Sequence, residues 1–270
     1  MIVKRFASLF SLFLLVSVVS AETSLSNEQK TALFNQANES FKKANAAAVE
    51  SERIKLYEET ILRYEKIVND GRVRNAKLYY NLANAYLLKG NLGKAILNYR
   101  RAEKLDSTDA NLQKNLAFAR SRRIDKVEVK AEKRVLQTLF FWHYDFSLKT
   151  RFMLACIFFA ICCISLTATV WFGRLPLAKT LTIICAILLV CFATSVILET
   201  NEKAHKIGGV ITVAEVVARQ GDGQNYPPSF KEPLHEGTEF DLLEHRPGWL
   251  HIKLSDGADA WIPENTAEII

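Results

Sequence analysis

The chain is short of the residues that bend or staple a backbone. Its 270 residues include 11 Gly, 6 Pro and 5 Cys. So few Gly and Pro exclude a collagen-like or Pro/Gly-rich chain. The cysteines are Cys156, Cys162, Cys163, Cys185 and Cys191, all within the strongly apolar stretch 152–198. Their absence elsewhere excludes a secreted disulfide scaffold. No CxxC pair exists, which excludes a cysteine zinc site. These thiols read as small apolar side chains. The histidines His143, His205, His235, His245 and His251 form no HExxH or other metal spacing. GxSxG, a P-loop and GxGxxG after a strand are all missing. The expectation is a non-enzyme with no catalytic residue, no metal and no cofactor.

What remains is unevenly charged. Charged residues are 24% and the AVILMFWYC set 49%, enough apolar material to exclude a mainly disordered chain. The net charge of +6 hides a split. Residues 22–134 hold 23 Lys/Arg against 15 Asp/Glu, a net of +8; residues 206–270 hold 5 against 11, a net of −6. Soluble parts of opposite sign point to separate domains.

Three apolar runs interrupt this pattern. Residues 1–21 read MIVKRFASLFSLFLLVSVVSA, with a basic start at Lys4 and Arg5 and small side chains at Val19, Ser20 and Ala21. That is the pattern of a secretory signal peptide cleaved after Ala21. Residues 152–171 and 180–198 carry no charge and are long enough to cross a bilayer. The loop between them, 172–179, holds Arg174 and Lys179 and is expected on the cytoplasmic side. Lys149 and Arg151, before the first span, vote the other way. The signal peptide decides, placing both soluble parts on the extracytoplasmic side. Phe140, Phe141, Trp142, Tyr144 and Phe146 crowd the 135–151 segment, which is expected to lie at the membrane surface. No GxxxG marks a packing face between the spans.

Residues 76–109 read AKLYYNLANAYLLKGNLGKAILNYRRAEKLDSTD. Small residues at Ala83, Ala95 and Ala102 alternate with large ones at Leu82, Tyr86 and Tyr99, and Gly90 breaks two helices apart. This resembles a tetratricopeptide repeat. The 34-residue period returns at Leu116 and Ala117, and upstream at Ala37 and at Thr60, Tyr64 and Ile67. Residues 42–55 run long for the repeat, so a lengthened helix or an inserted loop is expected. The reading is two repeats and a closing helix, a repeat domain over 22–134. By the family's spacing, Lys77, Tyr80, Asn84, Asn111, Lys114 and Phe118 would line its groove. From 72 to 123 there are 12 Lys/Arg but only Glu103, Asp106 and Asp109. Such a groove suits an acidic or carboxylate-ended peptide, or its lysines are merely solvated. The basic stretch 120–134 could also meet anionic lipid. Nucleic acid is not expected as a partner.

Residues 206–270 change texture. Apolar-alternating runs at 210–218, 239–245, 249–254 and 260–263 are separated by turn chemistry at Gly221-Asp222-Gly223, Pro227-Pro228, Pro247-Gly248 and Asp256-Gly257. Five short strands and a small partly closed barrel are expected. Glu236-Gly237, Trp249 with Ile252 and Leu254, and Trp261-Ile262-Pro263 resemble a bacterial SH3 domain, with Ala260 where that family has glycine. Trp249 and Trp261 read as core or as a ligand platform. The negative charge suits a basic peptide, a cell-wall stem peptide, or the chain's own basic repeats.

The order of these parts is the most specific feature. Signal peptide, repeats, a close pair of spans and a terminal SH3-like domain together resemble the BatE-like proteins, the repeat-and-SH3 members of the Bat (aerotolerance) operon group. The resemblance implies a multidomain membrane protein with an all-α repeat array, a two-helix transmembrane hairpin and an all-β SH3-like barrel. It implies an inner-membrane scaffold of the bacterial envelope, with von Willebrand factor A-domain proteins and a MoxR-type ATPase as partners, and a role in stress tolerance. The alternative is a cell-wall-sensing signal module that passes occupancy of the barrel, by peptidoglycan or peptide, across the spans.

Overall fold

A computed structural model of the chain describes residues 25–125, 140–171 and 176–270. The expected signal peptide at 1–21 lies outside the described residues. So do the basic run 126–134, residues 135–139 of the juxtamembrane segment and residues 172–175 of the expected loop. The chain divides into two compact units, residues 1–91 and 92–270.

The first unit is helical. It contains α1 (Asn27–Ala46), α2 (Glu50–Asn69) and α3 (Ala76–Lys89). Ser26 starts α1 with a capping box: its hydroxyl accepts from the Gln29 N–H at 3.2 Å, and the Gln29 side chain accepts from the Ser26 N–H at 2.8 Å. Asn75 caps α3 by accepting from the N–H groups of Lys77 and Leu78. Gly90, at φ 95°, ends it in the left-handed region where a Cβ is costly. The long stretch 42–55 resolves as helix lengthening, since α1 and α2 each run 20 residues. Small and large residues interlock between them. Ala37 and Ala44 are wholly buried, and Tyr57 and Tyr64 fill the space beside them. Both phenols keep a partner, Tyr57 donating to Asn45 at 2.7 Å and Tyr64 to Asn38 at 2.6 Å.

The second unit begins with α4 (Leu92–Leu105) and α5 (Ala110–Ser121), the latter capped by Asp109. Ala95, Ala102, Ile96, Leu97 and Tyr99 are fully buried on α4, and Leu116 on α5. A short helix α6 (Phe141–Tyr144) precedes α7 (Leu148–Trp171) and α8 (Pro176–His205). Both α7 and α8 are long and apolar enough to cross a membrane. They extend past the apolar stretches at 152–171 and 180–198. Residues 176–179, expected in the loop, form the first turn of α8, where Pro176 loses nothing by lacking an N–H. Contacts at both ends make the pair antiparallel: Arg151 reaches Ser195, and Ser165 donates to the Ala178 carbonyl at 2.7 Å. Small or polar side chains form the seam, with Ala155, Cys162 and Ser165 facing Cys185 and Ser195. Phe158 stacks on Phe192, with centroids 5.8 Å apart. Away from the seam, Phe152, Ile164, Ile183 and Val190 are at least 59% exposed, an apolar surface that water disfavours.

An antiparallel sheet closes the chain. Its strands are β1 (Ile207–Ile211), β2 (Glu215–Val216), β3 (Leu234–His235), β4 (Glu239–Arg246), β5 (Trp249–Lys253), β6 (Asp259–Pro263) and β7 (Ala267–Ile269). Five are ordered β6-β5-β4-β1-β7, and β2 pairs with β3. The described residues thus hold seven strands where five were expected. The run 210–218 is not one strand: β1 ends at Ile211, and the chain resumes at Glu215–Val216 as β2, which pairs with β3 instead. Both hairpin turns fall where Pro247-Gly248 and Asp256-Gly257 stand, with Gly248 and Gly257 at positive φ. Ile211, Val216, Phe240, Ile252 and Ile262 centre the core, and Ala260 lies buried among them, so its Cβ is accommodated.

Tyr64 yields a pH prediction. Burial pushes its phenol up to about 12, against a smaller opposing effect of Asn81. The folded state therefore holds this proton more tightly than the unfolded state does. Stability from this group is complete below pH ~10 and is lost as pH rises towards ~12. Chemical unfolding of the full chain from pH 8 to 12 should show this loss. Tyr64→Phe should flatten it while costing about 1–3 kcal/mol at neutral pH, because the Asn38 carbonyl loses its donor.

Candidate functional site

The six expected groove residues fall on two helices in two units. Lys77, Tyr80 and Asn84 lie at three- and four-residue spacing along one face of α3, with Lys77 exposed. Asn111, Lys114 and Phe118 do the same on α5, all three exposed. Arg122, absent from the expected set, lays its guanidinium 5.0 Å from the Phe118 ring centroid.

The strongest polar site in the second unit was not foreseen residue by residue. It lies where α4 and α5 meet the sheet, and it centres on Glu239 at the head of β4. Arg120 grips this carboxylate with two parallel bonds, Nε to Oε2 and Nη2 to Oε1, each 2.7 Å. Arg123 donates to Oε2 at 3.2 Å, and Arg100 sets its Nε 3.1 Å from Oε1 as an ion pair. The Glu239 side chain is 17% exposed. Burial works against its charge, but Arg120, with Arg100 and Arg123 behind it, holds the carboxyl below its ordinary value. Burial also lowers Arg123, and the like charge of Arg120 adds to that.

Asp125 forms a second grip just after α5. Its carboxylate accepts from the His235 N–H at 2.7 Å and from the Thr238 hydroxyl at 2.6 Å. Its other oxygen lies 2.8 Å from His235 Nδ1, which must carry the proton, since an ionised carboxylate only accepts. Burial opposes the charge here too, and these donors hold Asp125 below its ordinary value. Along α4, Lys94 and Arg101 pair with Glu268 on β7, and Lys94 does so at close range. Arg101 also donates to the Ile269 carbonyl at 3.0 Å. Of the three partners weighed for the acidic domain, the chain's own basic helices are thus in contact with it.

The two tryptophans differ. Trp249 is partly exposed, whereas Trp261 is 8% exposed. His251 stacks on the Trp261 ring at 4.6 Å, and the Arg246 guanidinium lies 4.7 Å from its centroid. Arg246 is held in turn by Glu244 and Asp222, which raise its pKa further.

A third polar cluster sits at one end of the α7–α8 pair. Arg151 is 2% exposed and pairs with Glu199. It also donates to the Phe146 carbonyl at 3.0 Å and to the Ser195 hydroxyl at 2.7 Å, and it lies 3.0 Å from His143 Nδ1. From sequence, Arg151 is a loop charge that votes on orientation. Its place next to apolar residues, 48 positions before an acidic residue at the far end of the second span, was the available signal.

Among known proteins, a family model described as Tetratricopeptide repeat matches residues 76–109. No curated protein matches the chain. The repeat is a non-catalytic protein-interaction motif, so an interaction scaffold is the function class that the match supports.

The two depressed carboxylates set a pH dependence. Their folded values lie below the unfolded ones, so their stabilisation is present above about pH 4.5 and is lost as pH falls through the folded values. Hydrogen exchange of α4, α5 and β4 should be steady from pH 7 to 5, after correction for intrinsic rates, and should rise below about pH 4. Asp125→Asn should cost roughly 1–3 kcal/mol at pH 7 in denaturant unfolding, through the weakened bonds to His235 and Thr238.

Proposed function

We propose that the chain is a non-catalytic membrane scaffold of the bacterial envelope, of the Bat type, that holds a protein partner against its helical repeats. The observation that carries this reading is the repeat match at 76–109, on a helix that presents Lys77, Tyr80 and Asn84 along one face. Lys114 and Asn111 on α5 offer the same chemistry on the second unit, and the ligand is an acidic or carboxylate-ended segment. Von Willebrand factor A-domain proteins and a MoxR-type ATPase complex are the proposed partners. The domains are those read from the sequence, with residues 176–179 joined to the second span and the C-terminal sheet as an SH3-like barrel.

The orientation has independent support. Ion pairs join residues 92–125 to residues 207–270, which supports placing both in one compartment. Between them lie two helices fit to span a membrane, an even number of crossings. Arg151 is neutralised by Glu199 and drops out of the charge count, so Arg174 and Lys179 outnumber Lys149 and favour a cytoplasmic loop. With the signal peptide removed, both soluble parts are extracytoplasmic. Trp261, covered by His251 and Arg246, is not a bare platform for wall glycopeptide. That favours the scaffold over the wall sensor.

Two measurements test the reading. Reporter fusions after residue 270 and within the 172–175 loop should report opposite compartments, with the loop inside. Lys77→Glu with Lys114→Glu in the full chain should weaken recovery of von Willebrand factor A-domain proteins, after crosslinking in intact cells, by at least about tenfold. Unchanged recovery at low salt would mean that these lysines are only solvated.

A further inference from the structure

The contact between α4–α5 and the sheet is reciprocal. A helix starts with N–H groups that have no partner in the helix. In α4, the Gly93 N–H donates to the Glu236 carboxylate of the sheet at 3.1 Å, which also places negative charge at the helix start. An edge strand has the opposite need, since its outer carbonyls are open to pairing with another chain. β7 is an edge of the five-stranded sheet. Its Ile269 carbonyl takes Arg101 and its Glu268 takes Lys94 and Arg101, while an Ile270 oxygen just past the strand takes Lys104 at 3.2 Å. Each half supplies what the other lacks.

The backbones also approach closely from both sides. A Cβ on Gly93 would stand 2.7 Å from the Ile211 carbonyl oxygen. A Cβ on Gly237 would stand 2.9 Å from the Ile96 side chain, and Gly237 has φ 85°. Glycine on the helix meets sheet backbone, and glycine on the sheet meets helix side chains. Such fit, with Ile96 wholly buried, belongs to the interior of a domain.

The chain's two exits from this contact are matched to what lies between them. It leaves the helical half at Asp125, bonded to Thr238, and returns at Lys206, 3.8 Å from Asp241. Thr238 and Asp241 are three residues apart at the head of one strand, about 10 Å. Two packed helices run roughly 8–10 Å apart.

We infer that residues 92–125 and 207–270 are the two halves of a single folding module, and that the α7–α8 hairpin is an insertion looped out of it. The basic face of α4–α5 is then an interaction surface whose occupant is the acidic sheet of the same chain. The sheet covers α4 and α5, the last helices of the second unit's repeat. This module stands whether or not a partner is captured through Lys77 and Lys114, so the two readings fail separately.

The test uses the full chain in membranes. With the five native cysteines changed to Ala, Lys94→Cys and Glu268→Cys are treated with a short bismaleimide. An adduct within one chain is expected. An adduct only between chains, seen by mixing differently tagged copies that each carry one of the two cysteines, or no adduct at all, would overturn the inference. In the otherwise native chain, Glu239→Gln should speed hydrogen exchange in α4, α5, β1, β4 and β7 together, by at least about tenfold. Faster exchange in the sheet with α4 and α5 unchanged would show two independent domains and sink the proposal.

Discussion

Glu239 is a carboxylate withdrawn from water, and a charge in that position must be matched or it unfolds its surroundings. Three arginines match it. Arg100 comes from α4, Arg120 from α5 and Arg123 from the turn beyond α5. Because one small group ties the two helices and the turn to β4, the angle between the helices and the sheet is set by the geometry of a guanidinium fork. Glu103 lies against Arg100 and also shares the excess positive charge. The rest of the contact follows from that placement. Asp125 meets His235 and Thr238 just before β4, and α4 reaches β7 through Lys94 and Arg101.

The membrane end of the chain obeys the same rule under a harsher solvent. Arg151 at the head of α7 is surrounded by Glu199, Ser195, His143 and the Phe146 carbonyl, which satisfy the donors of its guanidinium. Lower in the pair, Ser165 and Thr182 bond to each other and to the Ala178 carbonyl. Between apolar helices there is little hydrophobic gain from contact, so close approach of small side chains and such shared polar groups hold the two together. The aromatic rings of α6 and its neighbours, Phe140, Phe141, Trp142 and Phe146, meet edge to face beside this cluster.

Much of this is local and readable. The Ala/Tyr/Leu spacing of the repeat is a helical period, and within 76–109 each residue it marks as core is buried: Leu82, Ala83, Tyr86, Ala95, Tyr99 and Ala102; one period on, Leu116 is buried but Ala117 is exposed. The turns at Pro247-Gly248 and Asp256-Gly257 are chemical signals with one backbone solution. Two stretches carry no such local signal. Residues 42–55 have no Gly or Pro, so nothing local separates a longer helix from a loop; good helix formers and the Tyr57–Asn45 bond settle it. Residues 210–218 alternate like one strand, but alternation carries no information about where a strand leaves its partner, and β1 ends at Ile211 while Glu215–Val216 pairs with β3.

The sequence by itself determined the helices, the apolar pair, the short strands and the opposite charge of the two soluble parts, because each depends on neighbours within a few residues or on composition. It also raised the basic repeats as one candidate partner of the acidic end. Only the tertiary structure decided which charges meet: Glu239 with Arg100, Arg120 and Arg123, Asp125 with His235 and Thr238, Arg151 with Glu199. An ion pair between residues far apart in the chain leaves no periodic trace. Its strength depends on the water excluded around it, and that exclusion exists only once the chain has folded.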